Sequence, residues 1–359
     1  MSHPLNHKKI LCINPYGIGD VLFTTPVISN LRRSYPDAFI AYLANRRAAD
    51  FLQSNPDIQQ VFIYERDEFV DIYRKSPLKF GQKWFALFKS IKQEGFDLVL
   101  DLSLNSTFGF LTAACGIPRR VGFNYRQRGR FLTDKIPFIG YEDKHIIEYN
   151  LDLLRHLRIP AVTTRMSLPI PAKDVQWAQD WLLENKIDSA RPLIAVVAGG
   201  GASWGKDARY RRWGAAKYAD LLDKIIENCD AAIILLGDQQ EEELSRQVVS
   251  LAHFPLYSAV GKTSLPGMAA LFAECCLAIV NDAGPLHVAV AVGVKTISIF
   301  GPVDPHIYGP YPGEEHLVVH KDLPCQPCYR RFRMARCEHI SCLRDLSVEE
   351  VYRKVKGAL

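Results

Sequence analysis

Along the first half of the chain, short apolar runs rich in β-branched residues alternate with stretches whose apolar positions recur every three or four residues. The runs are KILCIN (9–14), FIAYLA (39–44), QVFIYE (60–65), DLVLDL (97–102) and RRVGF (119–123). Helical periodicity lies between or after them, over 20–34, 82–94 and 145–157. Such alternation predicts βαβ units and a parallel sheet. The stretch IPAVTTRMSLPIPAKD (159–174) is rich in proline and loses the periodicity, which reads as a linker. The alternation then restarts. LIAVVA (193–198) runs into Gly199-Gly200-Gly201, AAIILLG (231–237) into DQQEEE, LAIVND (277–282) into AGPLHVAVAVG, and KTISIFG (295–301) into Pro302. In an open parallel sheet the carboxyl ends of the strands are where ligands bind. SVEEVYRKVKGAL (347–359) predicts a last helix with Ser347 as its N-cap. The expected fold is therefore α/β: two Rossmann-like doubly wound domains, 1–165 and 166–345, with a closing helix in 346–359 that packs back on the first domain.

Composition narrows this little, but charge changes it. A chain of 359 residues with 48% hydrophobic and 23% charged residues is an ordinary globular protein of two domains. The longest apolar stretch, 277–300, is broken by Asn281, Asp282, His287 and Lys295, and the apolar run near the N-terminus is too short for a signal peptide. A cytoplasmic protein is expected. Five of the nine cysteines (Cys12, Cys115, Cys229, Cys275 and Cys276) are scattered in apolar surroundings, which fits a reducing compartment. The net charge of +5 is unevenly spread: RRVGFNYRQRGRFLTDK (119–135) holds six basic residues against Asp134. That stretch is either a solvated basic face or a surface for an anionic partner such as acidic lipid or a phosphorylated sugar. No nucleic-acid module is recognisable, so nucleic acid is not the expected partner.

Three segments carry candidate chemistry. INPYGIGDVLFTTP (13–26) follows the first strand and places Gly17 and Gly19 at a strand-to-helix turn. A dinucleotide fingerprint would need a third small residue where Leu22 stands; the segment offers the carboxylate of Asp20 instead. In VNDAGPLHVAVAVG (280–293), Asp282 ends a buried strand, Ala283 and Gly284 turn, and Pro285 suits the first helical position. The free N–H groups and positive dipole end there suit a diphosphate, to which His287 can donate; the rival reading is a capping Asp282 and a core histidine. In AGGGASWGKDARYRRWGAAKYADLL (198–222), three glycines allow close backbone approach, and Lys206, Arg209, Arg211 and Arg212 supply cations for a leaving diphosphate; the rival reading is a surface loop.

These segments together resemble glycosyltransferase family 9, the ADP-heptose:lipopolysaccharide heptosyltransferases and their relatives. The likeness lies in GIGDVLFTTPVISNLRRSYPDAFI, GIPRRVGF (116–123), KHIIEYNLDLLRHLRI (144–159), GKDARYRRW and NDAGPLHVAVAVGVKTISIFGPVDP. The resemblance implies a GT-B fold, two domains facing across a cleft, and metal-independent, inverting transfer of heptose from ADP-heptose to an inner-core sugar. No cofactor is implied. Asp20, beside Gly19, becomes the general base, with a plain N-cap as its alternative. Arg211 becomes a phosphate contact with Lys206 beside it, and Asp282, Ala283, Gly284 and His287 match an Asp-Ser/Thr-Gly-x-x-His motif. Ala283 departs from it, removing one hydroxyl to the donor. Asp238, Gln239 and Glu241 compete for the nucleoside. Gly19, Arg120, Arg126 and Arg128 are expected to face an anionic lipopolysaccharide-core acceptor, with peripheral contact to the inner membrane at its cytoplasmic face. Cys325, Cys328, Cys337 and Cys342 leave two readings open, a structural zinc site or reduced or disulfide-paired cysteines. Outside this activity stand transfer from another nucleotide sugar, a sugar-nucleotide epimerase and a non-catalytic sugar-nucleotide-binding protein.

Overall fold

The computed structural model of the chain describes residues 7–359, and the side chains of all of these except 202–206. Two compact units divide the chain. One takes the residues up to Tyr141 together with Ile146–Met166, the other Glu142–His145 and Ser167–Leu359.

The first unit is built on six parallel strands, β1 (Lys9–Ile13), β2 (Phe39–Ala44), β3 (Gln60–Ile63), β4 (Leu98–Asp101), β5 (Arg119–Tyr125) and β6 (Asp134–Phe138), in the order β3-β2-β1-β4-β5-β6. β1, β2 and β4 are near-continuous apolar runs because helices cover both faces of a parallel sheet. The register sets Ile13 level with Leu43 and Asp101, so these three strands end together. The helical pattern over 20–34 is two helices, Ile18–Leu22 and Thr25–Ser34. Pro26, which has no N–H to give, opens the second, and Thr24 at the break donates to the carbonyl of Val21 at 2.7 Å. The β3–β4 crossover carries two helices, Arg66–Lys75 and Pro77–Glu94, joined at Ser76, whose hydroxyl accepts the Lys79 N–H.

The second unit repeats the plan with β7 (Leu193–Val197), β8 (Ala232–Leu235), β9 (Tyr257–Ser258), β10 (Leu277–Asn281), β11 (Thr296–Ile299) and β12 (Leu317–Val319), all parallel, in the order β12-β11-β10-β7-β8-β9. In both sheets the third and fourth strands in line, β1 and β4 or β7 and β10, are where the strand order reverses. Loops leaving the carboxyl ends of such a pair diverge and open a crevice. The closing helix, Val348–Ala358, is capped by Ser347, whose hydroxyl accepts the Glu350 N–H. It belongs to the second unit. Val351, Tyr352 and Val355 join the second unit's core with Leu221, Leu222 and Ile225, because the helix presents its apolar face to the helix Ala215–Cys229. The unit also recruits Glu142–His145: His145 stacks on Tyr311 with centroids 4.5 Å apart, and Glu142 pairs with Arg331.

Candidate active site

At the β1/β4 switch point of the first unit, Asp20 sits in the first turn of the helix Ile18–Leu22, and its Oδ2 accepts the Gly17 N–H at 3.1 Å. Asp20 therefore caps from inside the helix, while Gly17 occupies the N-cap position. A chain of hydrogen bonds frames this turn. Asn14 Nδ2 donates to the Asp20 carbonyl at 3.1 Å and Asn14 Oδ1 accepts the Tyr16 N–H at 3.2 Å. The Tyr16 hydroxyl donates to the Ser103 carbonyl, and the Tyr16 carbonyl accepts from Asn45 Nδ2. Ser103 in turn donates to Asp101 Oδ1 through both its N–H (3.0 Å) and its hydroxyl (2.5 Å). Burial pushes the Asp101 carboxyl up to about 6, against the pull of the two Ser103 donors. Burial of the Tyr16 hydroxyl, and then the Asp101 and Asp20 carboxylates, push that phenol up to about 12. Asp101, Ser103 and Tyr16 thus form a second polar layer at the carboxyl edge that local sequence pattern had not singled out.

Of the three arginines expected on the acceptor side, Arg126 and Arg128 follow β5 at this carboxyl edge, exposed, with their guanidinium groups 4.9 and 5.7 Å from the centre of the Tyr125 ring. Arg120 is placed elsewhere. It is the second residue of β5, so it lies at the opposite, amino edge of a parallel sheet. Its guanidinium is committed to the protein's own backbone, donating to the carbonyls of Phe131 (2.8 Å) and Ile117.

In the second unit the loops after β7 and β10 meet at the other switch point. Asn281 joins them: its Nδ2 donates to the carbonyls of Ala198 (2.8 Å) and Gly199 (2.9 Å), and its Oδ1 accepts the Tyr218 hydroxyl. Arg211 closes the 3-10 turn Ala202–Arg211, and its Nη1 donates to the Asp282 carbonyl at 2.7 Å. Its Nη2 lies 3.4 Å from Asp282 Oδ2, near enough for attraction but not aligned as a hydrogen bond. Burial raises the Asp282 carboxyl above the usual carboxylate range, and Arg211 pulls it back. Ala283 is the N-cap of the helix Gly284–Ala291, with Pro285 in its first turn. His287 is buried in that turn; desolvation, then His145, then Arg211 press its imidazole down to about 3, so it is neutral near pH 7. Lys206 lies outside the described side chains.

The glycines of this loop serve the protein itself. A Cβ on Gly199 would stand 1.6 Å from Glu241 Oε1, and Gly201 has φ +79°. Glu241 is buried and its carboxylate accepts the N–H groups of Gly201 (3.2 Å) and Asp238 (3.4 Å), so it ties down the loop. Asp238 and Gln239 remain exposed beside it. Cys325, Cys328, Cys337 and Cys342 are free thiols, and burial, then Cys325 and Cys337, push the Cys328 thiol up. Burial and then its three neighbours bring Cys342 to about 11. No group of three or more His, Cys, Asp or Glu among the described residues is arranged to hold a metal ion.

The profile of glycosyltransferase family 9 (heptosyltransferase) matches residues 84–339. The chain belongs to glycosyltransferase family 9. It is a glycosyltransferase with the α/β fold of that family. A crystal structure of a family 9 glycosyl transferase from Veillonella parvula is similar with a TM-score of 0.83 at 21% identity, over 100% of this chain and 99% of that one. The heptosyltransferase WaaC of E. coli, solved with ADP, is similar with a TM-score of 0.72 at 17% identity, over 98% and 100%. Among sequences, the chain is 27% identical to lipooligosaccharide heptosyltransferase 2 of Campylobacter jejuni over 65% of this chain and 69% of that protein. The family 9 profile spans Arg211, Asp282 and His287 but begins after the Asp20 turn.

Proposed function

We propose that this family 9 enzyme is an inverting, metal-independent heptosyltransferase that moves heptose from ADP-heptose to an anionic lipopolysaccharide inner-core acceptor at the cytoplasmic face of the inner membrane. The observation that carries the reading is the assembly of Arg211, Asp282, neutral His287 and the opening turn of Gly284–Ala291 at a topological switch point. The N-terminal end of Gly284–Ala291, where the helix dipole is positive, and the Arg211 guanidinium bonded to the neighbouring Asp282 carbonyl support a diphosphate there. The heptosyltransferase names of the relatives, and the ADP in the solved E. coli neighbour, support the donor.

In this reaction the acceptor hydroxyl oxygen bonds to the anomeric carbon as the bond to the diphosphate oxygen breaks. The departing ADP keeps that electron pair, and Asp20 takes the hydroxyl proton. One displacement needs one base, and inversion follows from attack opposite the leaving group. Arg126 and Arg128 meet the acceptor's phosphate or carboxylate groups. Asp20→Asn tests the assignment. Turnover should fall about 10²–10⁴-fold, with ADP at a hundredfold excess over Kd still stabilising the variant by roughly 2.7 kcal/mol. Near-parent turnover would remove Asp20 from the chemistry, and stabilisation by UDP but not ADP would remove the donor.

A further inference from the structure

The helix Pro77–Glu94 is 18 residues long, yet Ile91 is its only fully buried residue. Its inner side is accounted for: Phe80 and Trp84 pack with Phe69 and Tyr64 into an aromatic cluster, with Phe69 and Trp84 5.3 Å apart. At 100° per residue, Leu78 and Phe85 project from the opposite side, and they are 73% and 64% exposed. On the preceding helix Val70 and Tyr73 are 38% and 58% exposed, with the Tyr73 ring edge-on to Phe80 at 5.2 Å. A surface helix ordinarily carries one apolar stripe, turned to the core. This one carries two.

Charge says what the second stripe meets. Between Asp71 and Glu94 the chain holds Arg74, Lys75, Lys79, Lys83, Lys89 and Lys92 and no acidic residue. Lys83 is paired with Glu68; Arg74, Lys75, Lys79, Lys89 and Lys92 are exposed. Lys89 and Lys92 fall on the same side of the helix as Leu78 and Phe85. Aromatic and aliphatic side chains interleaved with lysines on a helix lying flat are what an anionic bilayer surface binds. A protein partner of the same charge preference would need acidic groups interspersed with apolar pockets; a lipid surface supplies both continuously.

We infer that the outer face of this helical hairpin is a membrane-docking surface for anionic lipid. The surface stands on these observations alone; only its use, bringing a lipid-borne acceptor to the enzyme, rests on the proposed reaction. Arg66, the first residue of the hairpin, already acts electrostatically on the Tyr16 hydroxyl, so the hairpin starts at the edge that carries Asp20.

Sedimentation with vesicles of phosphatidylglycerol and phosphatidylcholine, against phosphatidylcholine alone, tests this on the full chain. Binding should require the anionic lipid and weaken as salt is raised. Lys79→Glu/Lys89→Glu should cut partitioning at least 25-fold, at about fivefold per lysine removed, and Leu78→Ser/Phe85→Ser about tenfold or more. Lys173→Glu/Lys354→Glu, the same charge change on exposed residues of the second unit, should leave binding near the parent's. The ADP-induced thermal shift should be unchanged in all three variants, which separates lost docking from lost folding or a wrong donor. Equal binding to neutral vesicles, or equal losses from the second-unit variant, would overturn the proposal. So would a self-association that Leu78→Ser/Phe85→Ser abolishes while vesicle binding persists, since a second copy of the chain would then cover the face.

Discussion

Replacing Arg211 with methionine asks the second unit to hold Asp282 without the guanidinium beside it. The two side chains are 9% and 3% exposed, so water cannot take the guanidinium's place. The substitution removes the attraction at 3.4 Å and the 2.7 Å bond to the Asp282 carbonyl together. Stranding one member of a buried pair costs about 3–5 kcal/mol. At roughly 2–4 °C per kcal/mol for a unit of this size, the melting temperature should drop by roughly 6–20 °C near neutral pH. The loss should shrink as pH falls, because Asp282, already raised by burial, then takes up a proton and sheds its charge. Adding Asp282→Asn should recover most of the stability, and the double-mutant cycle measures the coupling. Calorimetry or dye-monitored melting at two pH values is sufficient, and the recovered double variant also shows whether ADP still stabilises a protein lacking the cation. If Arg211→Met melts with the parent at pH 7, the pair does not organise this site and the electrostatic account of it is wrong.

Two further outcomes follow from the polar layers. Tyr16→Phe removes the tie to Ser103 and should lower kcat about tenfold at a stability cost of about 1 kcal/mol; unchanged kcat would show that the tie does not position Asp20. Two buried groups, His287 in one unit and Asp101 in the other, should also contribute to acid stability with opposite signs. His287 titrates at about 3 in the folded state against 6.5 for an unperturbed histidine, so as pH falls below 6.5 the unfolded chain gains a proton the folded chain refuses. Stability is lost at up to about 1.4 kcal/mol per pH unit. Asp101 titrates at about 6 against 3.8, so its contribution grows as pH falls from 6 towards 4. In urea melts at pH 4.5 and 6.5, the parent's advantage over His287→Gln should fall on acidification and its advantage over Asp101→Asn should rise; matching signs would refute the assignment.

The central strands were legible because a parallel strand covered on both faces is written as an unbroken apolar run, as in KILCI and LAIVN. Of the edge strands, β3 was read from its apolar run, but β6, β9 and β12 were not. β6 contains Pro137, which only an edge tolerates, and β9 has two residues. Asp282 stood out as a polar residue where an apolar run stops, and Asp20, Arg211 and His287 as polar residues in the segments that follow such runs. Asp101 lay hidden as the last residue of such a run, and Tyr16 gains its meaning from Ser103, 87 positions away. The misplacement of Arg120 has a geometric cause: a basic residue near a strand points to the ligand edge only if it follows that strand. Glu241 was open in a different way, since an acid after β8 can bind a nucleoside and can also, as here, hold the backbone of a neighbouring glycine loop.

The four residues Glu142–His145 bear on how such enzymes can be recombined. The chain enters the second unit at Glu142, leaves it after His145 and returns at Ser167. A gene fragment beginning at Ser167 therefore encodes a second unit without the ring that stacks on Tyr311, without the carboxylate that pairs with Arg331, and without one of the charges that keep His287 neutral. Exchanging the second unit at a single crossover before Ser167 would leave Tyr311 and Arg331 facing a foreign Glu142–His145 segment. The unit can thus move as a module only if those four residues travel with it, a constraint that ties the inheritance of the two halves together.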